Sequence, residues 1–288
     1  MLENIIFIFI GLLGLFFGGD WLVTGASRLA RSFGISALIV GLTVVAFGTS
    51  SPELLVSMSA ALRGSSDIAV GNIVGSNISN IGLILGMTAL IFPVAVRASL
   101  IRREIPLMMG ATLLTTLLAF IGASIDRLDG VILLIGLIAF NYYMYRLTIR
   151  ERQTEAFQEE EEEYEEIGEK PIAPHNRIRE VGRIFIGLIV LVFGAQLTVD
   201  GAVNIARSFG ISELAIGVTL VAVGTSLPEL ATSLVASFRK QNDIAIGNIV
   251  GSNIFNLLLI LGATAIIRPI PISARVLDFD IIVMLVFS

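Results

Sequence analysis

Two glutamates carry the most telling chemistry in this chain. Glu53 follows Gly48-Thr49-Ser50-Ser51-Pro52 and Glu229 follows Gly224-Thr225-Ser226-Leu227-Pro228, each inside a stretch otherwise apolar enough for a bilayer. On a helix, Thr49 and Ser50 lie four and three residues before Glu53, so the hydroxyls share a face with the carboxylate, and Thr225, Ser226 and Glu229 repeat the pattern. Ser76 with Asn80, and Ser252 with Asn256, share a face in the same way on the helix that follows. Pro52 and Pro228 lack an N–H and push away the carbonyl four residues back, which frees the oxygens of Gly48 and Gly224. Carboxylates, hydroxyls, amide oxygens and freed carbonyls form an all-oxygen set. Such a set suits hard cations, Ca²⁺ or Na⁺, and offers nothing that Zn²⁺ or Cu²⁺ would prefer.

Charge counting narrows the chemistry. An ionised carboxylate at the centre of a bilayer costs about 2.5–3.5 kcal/mol on insertion scales, which disfavours two acids serving only as glue between helices. Two such groups facing each other repel and take up protons unless cations are supplied. One Ca²⁺ balances both, as do two Na⁺, and a third Na⁺ leaves the loaded site positive. Because either load is tolerated and an empty site is costly, obligatory exchange follows more naturally than leak. For Ser76, Ser252, Asn80 and Asn256 the competing role is plain hydrogen bonding between packed helices.

The elements that must hold these residues come in duplicate. Residues 41–93 recur as 217–269 at a constant offset of 176 without a gap, and the offset extends backwards to Ala30-Arg-Ser-Phe-Gly-Ile-Ser36 and Ala206-Arg-Ser-Phe-Gly-Ile-Ser212. With 55% hydrophobic and 15% charged residues, the chain lies outside the range of soluble domains. Apolar segments starting near Asn4 for about 20 residues and near 38–62, 69–92, 105–124, 129–147, 181–205, 214–238 and 245–267 predict eight spans, and 279–288 begins another. The first lacks a basic leader and is expected to be a retained helix rather than a cleaved signal. Five spans per unit is an odd number, so the second unit must enter the membrane upside down relative to the first. The predicted fold is an all-α membrane protein of two inverted five-helix repeats, ten helices in full, with eight and part of a ninth present. The repeat runs about 35 residues past Ser288, so the chain is expected to be truncated. The expected organisation is a first repeat over 1–147, an acidic linker over 148–180, and a second repeat over 181–288.

Of the 19 Lys and Arg, 14 fall on one side of the predicted spans. The positive-inside rule then puts the N-terminus outside and the linker in the cytoplasm, with Tyr142, Tyr143 and Tyr145 in an interfacial belt. The linker's acidic run, Glu159 to Glu163 with Glu165 and Glu166, lacks the spaced, Gly-turned loop of an EF-hand and reads as a solvated connector. The only histidine, His175, also falls there, and there is no cysteine. Asp20 and Asp200 are not matched by the offset and read as interfacial or helix-polar groups. Asp67 and Asp243 are matched, and are expected to cap the next helix or to complement its dipole.

The paired Gly-Thr-Ser-x-Pro-Glu and Gly-Asn-x-x-Gly-Ser-Asn-x-x-Asn blocks resemble the two alpha repeats of the sodium/calcium exchanger family, among the cation/calcium antiporters, in its prokaryotic form with a short central loop. The resemblance covers nearly all of the chain except the linker. It implies secondary active exchange of Ca²⁺ for Na⁺ by alternating access in the cell membrane, a two-helix gating bundle formed by the first and sixth helices, and a midplane ion site. The site residues it implies are Glu53 and Glu229 as acidic ligands, Thr49, Ser50, Ser76, Thr225, Ser226 and Ser252 through their oxygens, the backbone of Ala46 and Ala222, and Asn80 with Asn256 completing a diamond. It implies no cofactor beyond the transported ions, no nucleic acid, no obligatory protein partner and no enzymatic activity. Members commonly carry Asp at the position of Asn256, and an amide offers an oxygen but neither charge nor an exchangeable proton. The alternative reading is therefore a Ca²⁺/H⁺ or K⁺-dependent Na⁺/Ca²⁺ antiporter using the same glutamates. A channel is disfavoured by inverted repeats with broken helices, and a membrane hydrolase by the position of the only histidine, outside the membrane part.

Overall fold

The computed structural model describes residues 1–93, 96–151, 177–211 and 222–288. The acidic run, His175 and the start of the predicted 214–238 span lie outside the described residues. Helix α1 (Leu2–Phe33) is followed by a bent pair, α2 (Ala37–Thr49) and α3 (Ser51–Leu62), inclined by 44° at Ser50. Then come α4 (Ser66–Ile91), α5 (Ala98–Gly122) and α6 (Arg127–Glu151). The second half contributes α7 (Arg177–Ser208), the short α8 (Ala222–Thr225), α9 (Leu227–Phe238), α10 (Asn242–Ile267) and α11 (Ile281–Phe287). Six of these helices are long and apolar enough to cross a membrane, and the bent pair makes a seventh span. The protein is thus a multi-pass integral membrane protein with an all-helical fold.

Several boundaries differ from the sequence reading, for physical reasons. The first span is not a 20-residue segment but 32 residues of helix, about 48 Å at 1.5 Å per residue, which exceeds the roughly 30 Å core and requires tilt. It stops where Gly34 turns left-handed (φ 61°) and its N–H caps the carbonyls of Ala30 and Arg31; Gly210 (φ 76°) does the same after α7, which explains the repeated Ala-Arg-Ser-Phe-Gly. The helices flanking the linker extend to Glu151 and start again at Arg177. Asp67 and Asp243 do not cap: they sit in the first turns of α4 and α10, behind Ser65 and Gln241, where a negative charge complements the positive helix end. Asp243 also pairs with Arg97 at 2.8 Å. Asp20 is likewise paired, with Arg239. Wider π turns interrupt α2 at Gly41–Val45, α4 at Asn80–Leu85 and α10 at Asn256–Leu261, so each site asparagine opens one.

The two halves are inverted in the observed packing. Helices α1 and α7, matched by the repeat, run antiparallel: Gly11 faces Gly194, Gly18 faces Gly187 and Gly25 faces Glu180. Contacts between distant segments join ends that the span count assigns to one side. At one side Arg177 donates to the Ser32 carbonyl at 2.6 Å and lies over the Phe33 ring, while Arg28 pairs with Glu180 at 3.7 Å. At the other, Arg268 donates to the carbonyls of Ala61 and Leu62, both at 3.3 Å, and β1 (Ser124–Ile125) pairs antiparallel with β2 (Ile270–Pro271).

Helix α10 is the structural axis. Every residue from Ile244 to Phe255 is buried, enclosed by α2, α4, α5, α6 and α9. One apolar cluster around Leu42, Ile73, Met108, Leu133, Ile254 and Leu257 surrounds it. A second, including Leu22, Leu191, Val45 and Ala236, seats the α1–α7 pair against the rest. The outer faces of that pair, with Phe9, Leu12, Phe16, Phe185, Ile189 and Phe193 exposed, are apolar and suit lipid.

The α1–α7 seam depends on missing side chains, because a Cβ at Gly187 would fall 2.7 Å from the Leu22 nitrogen and 2.8 Å from the Gly18 oxygen. Gly187→Leu should therefore separate the pair and destabilise the protein by about 1–3 kcal/mol or more. Gly182→Ala, with nothing within 4 Å of its Cβ among the described residues, should be neutral or slightly stabilising. Melting of the detergent-solubilised protein, followed by fluorescence, distinguishes the two; equal melting temperatures would contradict the packing.

Candidate functional site

The candidate site forms where the two broken helices meet α4 and α10. Pro52 and Pro228 occupy the second positions of α3 and α9, as a helix start allows, and place Glu53 and Glu229 in the first turns. There the positive ends of α3 and α9 offset part of the cost of a buried carboxylate. The turn before each glutamate closes α2 and α8, whose ends carry the opposite partial charge. The bend at Ser50 thus brings an anion-favouring helix start and a cation-favouring helix end to one point.

Every described side chain of the predicted site is buried: Thr49, Ser50, Glu53, Ser76, Asn80, Thr225, Ser226, Glu229, Ser252 and Asn256. Glu53 and Glu229 are each 1% exposed, so the cluster is closed off in this conformation. Ala46 is buried too, and its carbonyl accepts from the Thr49 hydroxyl at 3.3 Å and the Ser50 N–H at 3.0 Å. Ala222 begins α8, matching Ala46 in the repeat.

The repeats complete each other's acids. Ser50, from the first repeat, donates to Glu229 Oε1 at 3.0 Å, and Ser252 reaches the same oxygen at 3.5 Å. Thr225 and Ser226, from the second repeat, lie against the Glu53 carboxylate, and Ser226 donates to the Ser76 hydroxyl at 3.5 Å. The two carboxylates are near enough to repel one another. Of the predicted site's side-chain oxygens, four are buried with no hydrogen-bond partner among the described residues: Glu53 Oε2, Glu229 Oε2, Asn80 Oδ1 and Asn256 Oδ1. Two acids and two amides with free oxygens, one of each per repeat, are donors of the type that hard cations take.

Four further asparagines at the site were not singled out from sequence. Asn72 donates through Nδ2 to the Glu53 carbonyl at 3.3 Å and to Ser57 at 3.0 Å, and its Oδ1 accepts from Thr225 at 3.3 Å. Asn248 mirrors it, donating to the Glu229 carbonyl at 3.4 Å and to Ser233 at 3.2 Å while accepting from Thr49 at 2.9 Å. The Thr49 hydroxyl thus has Asn248 Oδ1 and the Ala46 carbonyl within reach as acceptors, and the Thr225 hydroxyl has Asn72 Oδ1. Asn77 and Asn253 contact Asn256 and Asn80, each at 2.9 Å. A signal for all four was present in the chain: Gly-Asn-Ile-Val-Gly-Ser-Asn is identical at 71–77 and 247–253. Asp200 is exposed on α7 and takes no part.

The chain as a whole is similar to known proteins. The family model described as sodium/calcium exchanger protein matches residues 3–146 and 180–288. A putative antiporter, CaxA of Alkalimonas amylolytica, is 42% identical over 99% of this chain and 87% of its own length. The sodium/calcium exchanger MaX1 of Methanosarcina acetivorans is 31% identical over 99% of this chain and 89% of its own length. A solved structure of the sodium-calcium exchanger NCX_Mj, soaked with Na⁺ and Ca²⁺, superposes with a TM-score of 0.82 at 33% identity, covering 99% of this chain and 89% of that one. With the inverted repeats, the crossed acids and these matches together, the chain belongs to the sodium/calcium exchanger family.

Proposed function

We propose that the protein is a secondary active antiporter that exchanges Ca²⁺ for Na⁺ at the site built around Glu53 and Glu229. The observation that carries this reading is the crossed pair of buried carboxylates, each lined by hydroxyls of the opposite repeat and each with one free oxygen. Its close relatives in sequence and structure, exchangers of Na⁺ and Ca²⁺ by name, point the same way. Glu53, Glu229, Thr49 and Thr225 hold Ca²⁺; Ser50, Ser226, Ser76, Ser252, Asn80, Asn256 and the backbone of Ala46 and Ala222 extend the set for Na⁺. The two negative charges are balanced by either load, so the site changes sides filled rather than empty.

Access alternates through movement of α1 and α7 against the remaining helices. The glycine seam between those two, with no interlocking side chains at Gly11, Gly18, Gly187 and Gly194, supports their moving as one unit. The chain resides in the cell membrane with its N-terminus outside and the linker over 148–180 in the cytoplasm, between repeats at 1–147 and 181–288. The excess of Lys and Arg on the linker side supports this orientation.

A proton-coupled variant of the same exchange stays in view for one reason: with amides at both Asn80 and Asn256, only the two glutamates can carry protons at the site. In proteoliposomes, uptake of ⁴⁵Ca²⁺ should require an opposing Na⁺ gradient; uptake driven equally by a proton gradient without Na⁺ would favour the variant, and uptake down the Ca²⁺ gradient alone would rule out exchange. Glu53→Gln and Glu229→Gln should each abolish this uptake, while the proteins remain monodisperse in detergent. Flux retained by either mutant would remove that glutamate from the site. For orientation, a cysteine at Glu3 should react with an impermeant maleimide on intact cells and one at Glu160 only after lysis; the reverse pattern would invert the assignment.

A further inference from the structure

A carboxylate meets a cation with oxygen whichever way it turns, whereas an amide has a wrong end. Asn80 and Asn256 can serve a cation only if their oxygens face it, since a reversed amide would present hydrogens of the wrong sign. Neither residue decides this alone. Each is 1% exposed, with Oδ1 unpartnered and Nδ2 bonded to an asparagine of the other repeat.

The surrounding bonds fix the direction step by step. Asn77 Nδ2 lies 3.3 Å from the main-chain carbonyl of Asn253. A carbonyl only accepts, so that end of Asn77 is the NH₂ and the other end is oxygen. That Oδ1, 2.9 Å from the Asn256 amide, also only accepts, so Asn256 must turn its NH₂ towards it and its oxygen away. The mirror chain runs from Asn253 Nδ2 to the Asn77 carbonyl at 3.5 Å, and from Asn80 Nδ2 to Asn253 Oδ1 at 2.9 Å. Asn80 also shares a face of α4 with Ser76, four residues earlier, whose hydroxyl touches Ser226 beside Glu53.

We propose that Asn77 and Asn253 are positioning residues that hold, across the repeat boundary, the oxygen ends of Asn256 and Asn80 towards the cation. This deepens the exchange reading and rests on it. The pairing is crossed: the first repeat orients the ligand of the second, and the second orients that of the first. Main-chain carbonyls anchor each chain, so removing the Asn253 side chain leaves Asn77, and through it Asn256, correctly turned.

The crossing supplies the test. Equilibrium binding of ⁴⁵Ca²⁺ to the purified protein should weaken about 10–100-fold in Asn253→Ala, as is typical when a group supporting a metal ligand is lost. In an Asn80→Asp background the same substitution should leave binding unchanged or tighten it, because aspartate offers oxygen at both ends and needs no orienting. Asn256→Asp should not suppress Asn253→Ala, but it should suppress Asn77→Ala, which Asn80→Asp should not. A purely structural role predicts no suppression, and a general gain from added charge predicts suppression by both aspartates; either result overturns the proposal. If Asn253→Ala aggregates, Asn253→Leu fills the volume without the acceptor and carries the same test. Failure of the unaltered protein to bind Ca²⁺ would overturn the cation site itself, whereas binding without the crossed pattern would overturn only the orienting role.

Discussion

The rest of the structure answers to one constraint: two carboxylates, Glu53 and Glu229, lie together in an interior closed to bulk solvent. Each needs donors, an opposing charge, or both. The fold supplies partial answers that leave room for a cation. Helix starts put backbone dipoles behind the acids, hydroxyls line one side of them, and one oxygen of each stays free. A fully satisfied pair would be structural glue with no use for an ion. An unsatisfied pair would not fold as ionised groups. The observed half-satisfied state leaves one oxygen of each acid without a hydrogen-bond partner among the described residues.

Duplication with inversion is what makes this balance possible from one design. Because α1 and α7 run antiparallel, the two copies of each motif approach the midplane from opposite sides. Ser50 then serves Glu229, while Thr225 and Ser226 serve Glu53, so neither repeat could form its half of the site alone. The asparagines follow the same rule, Asn72 holding Thr225 and Asn248 holding Thr49. A crossed site ties the geometry of ion binding to the packing of α4 on α10. The α1–α7 pair contributes none of the hydrogen bonds named in that network.

An amide at position 256 has a consequence beyond its lack of charge. An acid is symmetric about its own axis and requires no orientation, but an amide does. The neighbouring asparagines at 77 and 253 are of the type and in the place to meet that need, and they are bonded in the sense it requires. The neutral diamond at Asn80 and Asn256 is therefore linked to residues that touch no carboxylate.

Much of this was written in the sequence. The offset of 176, the odd span count and the apolar lengths determined inverted all-helical repeats, because hydrophobic length and repeat identity are properties of the chain itself. The glutamates and hydroxyls were legible because an ionised acid in an apolar helix is too costly to keep without a charge to balance it. Less was legible at the edges. The ion pairs of Asp20 and Asp243 depend on partners far away in the chain. Asn72, Asn77, Asn248 and Asn253 do not stand out although their heptapeptide is identical in both copies, since a buried asparagine has no single meaning until its bonds are known. Composition decided that oxygen ligands would be present; only the tertiary structure decided which repeat each one serves and which end of each amide is turned inwards, because hydrogen-bond direction is set by neighbours in space.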